Sequence, residues 1–133
     1  MDRHKAAGCA YAEIVKRSER DASNAVSVQI EKDLLRSLPS NYCFLKSESL
    51  GTKALRRVLK AIAFMYPDLG YCQGMGIVVA SLILVCSEES TFWIMNSLIE
   101  NILPPNFYSH SLLGLRADEK IIRHLMQVCW VLV

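Results

Sequence analysis

The stretches Ile30-Glu31-Lys32-Asp33-Leu34-Leu35-Arg36 and Tyr71-Cys72-Gln73-Gly74-Met75 carry most of the information in this chain. In the first, Ile30, Asp33 and Arg36 recur every third residue. On a helix over residues 28–36, Ile30 would anchor the core, and Asp33 and Arg36 would stand at i and i+3, where a carboxylate can steady a guanidinium. Most pairs of this kind are solvated surface pairs worth roughly 0.2–0.5 kcal/mol, so the spacing alone assigns no function. The second stretch offers a carboxamide, which donates and accepts at once, beside a glycine that lets backbone approach closely.

Working outward, the chain reads as a succession of helices. Residues 5–18 form a first amphipathic candidate through Ala10, Ile14 and Val15, and residues 24–36 a second. From Ser37 to Leu50 the text is irregular, interrupted by Pro39, Ser40 and Asn41. Thr52 is a candidate cap for a third helix, in which Leu55, Val58, Leu59 and Ile62 recur at i, i+3, i+4 and i+7. Arg56, Arg57 and Lys60 fall on its other side, a basic face that reads as solvent contact, with a partner's acidic patch as the alternative. Pro67 ends that helix, since proline lacks an N–H and pushes its predecessor away from helical angles. Gly70 allows the turn that brings Tyr71 and Gln73 to a rim.

The run Gly74–Cys86 is apolar all round and reads as a buried helix, short of the roughly 20 residues that a membrane span needs. Ser87 is positioned to cap the next helix, with Glu88 and Glu89 complementing its dipole. Phe92, Trp93, Met95, Ile99 and Ile102 make its apolar stripe, with Trp93 as core packing, and Pro104-Pro105 stop it. A loop through Asn106–Gly114 leads to a last helix, Ala117–Gln127, with Asp118 and Glu119 near its start. No segment alternates like a strand, so the fold class is all-α.

Composition narrows the function classes. The 133 residues are 52% hydrophobic, enough for a core. Fifteen basic against thirteen acidic residues give a net charge of +2, too slight to argue for nucleic acid or an anionic membrane, and no direct membrane insertion is expected. Cys9, Cys43, Cys72, Cys86 and Cys129 include no C-x-x-C pair and read as reduced thiols. Cys72 could be a nucleophile with His110 or His124 as base, yet nothing selects either histidine, and a packing role is the better reading. His4, His110 and His124 are too scattered for zinc. A Gly74-x-Gly76 opening without a third glycine or a preceding strand is no dinucleotide fingerprint.

In sequence order the two stretches resemble the arginine-finger and glutamine-finger motifs of the TBC domain, which activates Rab GTPases. Their surroundings carry the likeness further: Glu13-Ile14-Val15-Lys16, Gln29 onward into Arg36, Ser37-Leu38-Pro39-Ser40-Asn41, Met65-Tyr66-Pro67-Asp68-Leu69-Gly70, Thr91-Phe92-Trp93, Leu103-Pro104-Pro105 and Leu112-Leu113-Gly114. The resemblance implies a multi-helix all-α domain whose partner is a Rab-type small GTPase in its GTP-bound state. Arg36 would then meet transition-state charge and Gln73 would place the attacking water, with Ile30, Asp33, Tyr71 and Gly74 in support. No cofactor is expected in the chain, because GTP and Mg²⁺ come with the partner. The location implied is cytoplasmic, with recruitment to membranes through the GTPase in vesicle trafficking.

An inserted arginine is worth roughly 10³–10⁵ in phosphoryl-transfer rate, and a glutamine orients water without being a strong base. One departure is Gly76, where many members carry Asn after Gln-Gly-Met. The organisation expected is a lead-in over 1–10, a partial TBC domain over 11–127 and an apolar tail over 128–133, read as a truncation point. Two further readings follow. A catalytically inactive fragment would bind a GTPase or act as a regulatory protein, and a generic helical scaffold would carry the motifs by chance.

Overall fold

The computed structural model describes residues 10–20, 25–104, 107–108 and 112–131. Every regular element among them is helical: α1 (Tyr11–Arg20), α2 (Ala25–Leu34), a 3₁₀ turn (Tyr42–Phe44), α3 (Leu50–Met65), α4 (Met75–Ile83), α5 (Glu88–Ser97) with a π-helical continuation (Leu98–Ile102), and α6 (Leu113–Val131). The chain divides into two compact units, Met1–Ile102 and Leu103–Val133.

In the first unit α3 is the hub, packed against α1, α2, α4 and α5. Leu55, Val58, Leu59 and Ile62 are all buried, as their period requires. They meet Ile14, Ile30, Leu34, Phe44, Met75, Val79, Phe92 and Met95 in one core. Full burial of each aliphatic side chain contributes about 1.5–3 kcal/mol against the exposed state. Close approach at the start of α3 depends on Gly51, where a Cβ would lie 2.6 Å from the Cys43 carbonyl oxygen.

Helix ends follow local chemistry with some corrections. The first helix runs Tyr11–Arg20, beyond residue 18, and Glu13 pairs with Arg17 one turn on at 3.1 Å. Of its expected face, Ile14 and Val15 are buried and Ala10 is exposed; residues 5–9 lie outside the described residues. Thr52 is no cap: α3 begins at Leu50 after Ser49, and Thr52 is buried inside it. α3 stops at Met65, ahead of Pro67. Ser87 does cap α5, its side chain accepting from the Ser90 N–H.

The basic face of α3 is spoken for within the chain. Arg56 Nε donates to Glu31 at 2.9 Å, Lys60 reaches the same carboxylate at 2.9 Å, and Arg57 Nη2 donates to Glu88 at 2.6 Å. Burial works to raise Glu31, but Lys60 and Arg56 outweigh it and hold the carboxyl below its ordinary range. Glu88 is lowered in the same manner by Arg57 and the Tyr11 hydroxyl, which donates to it at 2.7 Å. These pairs tie α3 to α2, and to α1 and α5.

α4 is not buried all round. Met75, Gly76, Val79 and Ala80 face the core, whereas Ile77, Val78, Leu84 and Val85 on and beyond it are exposed. α5 buries Phe92 and Met95; Trp93 is half-buried, edge-on to Phe92 at 5.0 Å, and Ile102 is exposed. That segment has ended at Ile102 before Pro104; Pro105 lies outside the described residues. The Tyr66 hydroxyl, just past α3, lies against Asn96 Oδ1 and donates to Glu100 Oε1 at 2.7 Å.

In the second unit, α6 starts at Leu113 and not at Ala117 and extends to Val131. Leu112, at φ +50°, turns the chain into it through left-handed space rarely used by leucine. Gly114 permits Phe107 to pack there, for a Cβ would lie 2.9 Å from the Phe107 Cα. No described helix is long and apolar enough to cross a membrane.

Candidate functional site

α2 closes one residue before Leu35, so Arg36 stands on the turn beyond the helix expected to contain it. The reason is local. The Arg36 N–H donates to the Asp33 carbonyl at 3.1 Å and the Ser37 N–H to that of Leu34 at 3.4 Å, i to i−3 bonds that tighten the last turn and release the chain. Ser37 Oγ, buried, donates to the same Asp33 carbonyl at 3.0 Å. Ile30, fully buried, fixes the helix from beneath.

Asp33 and Arg36 form an ion pair of unequal partners: the aspartate side chain is 7% exposed, the arginine side chain 64%. One guanidinium nitrogen, Nη2, meets Asp33 Oδ1. Asp33 Oδ2 is buried without a hydrogen-bond partner among the described residues. The guanidinium is therefore held at one end, with most of its surface open to solvent.

The second motif is shaped by two glycines. Gly70, at φ +60°, accepts the left-handed turn after α3, and its N–H donates to the Tyr66 carbonyl at 2.8 Å. Gly74, at φ +100°, precedes α4, with nothing within 4 Å of where a Cβ would stand. Between them Tyr71 is half-buried, Cys72 buried and Gln73 exposed. Burial pushes the Tyr71 hydroxyl well above its ordinary range; the Asp33 carboxylate beside it adds to the rise and Arg36 opposes it. That phenol joins the motifs electrostatically.

The structure thus brings Asp33, Arg36 and Tyr71 into one cluster. Gln73 sits two residues beyond Tyr71 on the exposed turn, its carboxamide without a hydrogen bond among the described residues. Gly74 follows it, and Ile30 lies beneath the arginine turn. Burial also raises the Cys72 thiol, which opposes a nucleophilic role. Cys43, Cys72, Cys86 and Cys129 are all free; Cys9 and His110 lie outside the described residues. No group of His, Cys, Asp or Glu among the described residues is arranged to hold a metal ion.

Sequence reading passed over Ser37 as part of the site and treated Gly76 only as a departure from pattern. A Cβ at Gly76 would fall 2.4 Å from Ser37 Oγ and 3.4 Å from the Tyr71 hydroxyl. The only sequence signal for that contact is a glycine inside an otherwise apolar helix, where glycine is disfavoured.

Chemically, the arrangement presents a fork of cationic donors and a neutral donor-acceptor on neighbouring exposed turns over a rigid helical base. Comparison with known proteins places the chain in a family. The Rab-GTPase-TBC domain matches residues 4–129. Small G protein signaling modulator 3 of Homo sapiens is 51% identical over 116 residues, 87% of this chain, and that of Rattus norvegicus 48% identical over 126 residues, 95% of it. TBC1 domain family member 2B of Mus musculus is 36% identical over 116 residues, 87% of the chain. The chain spans only 15%, 17% and 12% of those three relatives' lengths. No solved structure matches it. With a domain match over nearly its whole length, and motifs in the family's order, the chain belongs to the Rab-GTPase-TBC domain family.

Proposed function

We propose that the chain supplies the finger-bearing part of a domain that accelerates GTP hydrolysis on a GTP-bound Rab-type GTPase, acting in trans. The observation that carries this reading is the asymmetric Asp33–Arg36 pair: a buried carboxylate aims an arginine whose side chain is 64% exposed. Arg36 meets charge growing on the transferring phosphoryl group, and the Gln73 carboxamide accepts from the attacking water while donating to phosphate. Asp33 and Tyr71 steady the two turns, Ile30 anchors the first, and Gly74 keeps the second open to the partner. Nucleotide and Mg²⁺ belong to the GTPase. Under this reading the chain works in the cytoplasm and reaches membranes through its partner.

A second reading, a catalytically silent GTPase-binding or regulatory chain, is favoured by one observation. Ile77 is 51% exposed and Val78 36%, an apolar surface in the first turn of α4 next to the Gln73 turn that suits docking more than chemistry.

Single-turnover hydrolysis across a panel of GTP-loaded Rab proteins decides between them, with the Arg36→Ala variant in parallel. Acceleration that vanishes in the variant is the expected result. Binding to a GTP-loaded Rab without acceleration would establish the silent reading, and neither binding nor acceleration would sink both.

A further inference from the structure

We infer that Gly76, through its contact with Ser37, is a positioning residue that sets how far the Arg36 turn stands from the Gln73 turn. The inference rests on the proposed function for its catalytic consequence and on packing alone for its existence.

Ser37 follows Arg36 directly, is 5% exposed, and has its hydroxyl committed to the Asp33 carbonyl at 3.0 Å. Gly76 lies three residues after Gln73 in the first turn of α4, on its buried face. The missing Cβ of Gly76 is where Ser37 Oγ sits: built there, it would be 2.4 Å from that oxygen, 3.5 Å from Ser37 Cβ and 3.4 Å from the Tyr71 hydroxyl. A methyl group therefore has two outcomes. Either the hydroxyl rotates away and surrenders its bond to Asp33, loosening the turn that carries Arg36, or α4 and the Gln73 turn retreat from α2. Both change the separation of the two motifs, and the nearby phenol of Tyr71 moves with them.

Helix propensity runs the other way, which makes the inference testable. Alanine is the better helix former, so Gly76→Ala should strengthen α4 in isolation. A loss of function cannot then come from a weakened helix.

The test compares the wild-type chain with Gly76→Ala, Ser37→Ala and the double variant. Single-turnover hydrolysis by a responsive GTP-loaded Rab is measured with the saturating rate and the half-saturating concentration separated. Hydrogen exchange at the Arg36 and Ser37 amides is followed on the same samples. Gly76→Ala is expected to lower the saturating rate by up to about 10²-fold, the scale of a 1 Å misplacement, with a small change in half-saturation, and to speed exchange at both amides. In the double variant the hydroxyl that the methyl group would strike is gone, so Gly76→Ala should cost nothing further there, and rate and exchange should match those of Ser37→Ala alone.

Wild-type exchange and rate in Gly76→Ala overturn the inference, as does a double variant in which the two single losses add. Should Gly76→Ala not fold, folding of the double variant supports the contact and its failure to fold overturns it. If the wild type accelerates no GTPase, the functional reading falls and the catalytic role of Gly76 with it, whereas amide exchange still decides whether the contact governs the turn.

Discussion

The arginines of α3 and the arginine after α2 are the same residue type in opposite situations. Arg56 and Arg57 meet carboxylates on other helices, at 24% and 39% side-chain exposure, and serve to fasten α2 and α5 to the hub. Arg36 is 64% exposed and meets a carboxylate three residues earlier, on the helix it follows, one that is almost wholly buried. In the first case the anion moves the cation inward; in the second the anion stays in and the cation is left out. An arginine becomes available to a partner when its counter-ion is local and sunk beneath it, since no long-range packing then consumes its free donors.

The largest effect that would sharpen this contrast is on catalysis. Arg36→Lys keeps the charge but loses the planar fork, and is expected to forfeit most of the roughly 10³–10⁵-fold acceleration an arginine finger supplies. Arg57→Lys, far from the motifs in role, should retain it. Hydrolysis kinetics on a responsive Rab compare the two, and equal losses would erase the distinction drawn here.

Next in size is the hub. Leu59→Ala in α3, at a site 2% exposed, should cost about 2–5 kcal/mol, read as a fall in the urea midpoint. A shift within error of wild type would mean the core is not centred on α3.

Smaller is the Arg57–Glu88 fastening. Arg57→Ala should cost on the order of 1 kcal/mol, because solvent screens an arginine exposed to this degree. A double-mutant cycle with Glu88→Gln isolates the pair, and a coupling indistinguishable from zero would reduce it to a surface contact.

The smallest effect is in pH. Glu31 and Glu88 are both held below the ordinary carboxyl value of 4.5. A depressed folded pKa means the unfolded state binds protons first, so these groups stabilise the fold in full above about pH 4.5 and lose that contribution as the pH falls below it. Melting temperatures from pH 6 to pH 3 should decline, less so in Glu31→Gln and Glu88→Gln variants. Identical declines in all three would assign the acid sensitivity elsewhere.

The sequence made legible whatever depended on near neighbours. The α3 stripe from Leu55 to Ile62, the stop before Pro67, the Ser87 cap and the left-handed turn at Gly70 all follow from a few adjacent residues. What could not be read were meetings across the chain. Arg56 and Arg57 look like a solvent face until Glu31 and Glu88, 25 and 31 positions away, arrive beside them. Gly74–Cys86 looks uniformly apolar, and only the placement of α2, α3 and α5 decides that Val79 is covered and Val85 is bare. In the candidate site, the spacing of Asp33 and Arg36 is a local matter. The end of α2 turned on two i to i−3 bonds, and the proximity of Ser37 to Gly76 was invisible because glycine announces an absence without naming what fills it.

Tyr66 has one hydroxyl proton and two oxygens in front of it, Asn96 Oδ1 and Glu100 Oε1. One proton makes a full two-centre bond to only one of them, so the three groups must settle a direction. Turning the Asn96 amide to offer its N–H to the phenol oxygen resolves the count: amide gives to phenol, and phenol gives to carboxylate. The junction between α3 and the π-helical segment thereby acquires polarity, a one-way chain of donors that ends on a negative charge. An Asn96→Asp change would remove the donor at the head of that chain and set a second anion against the phenol.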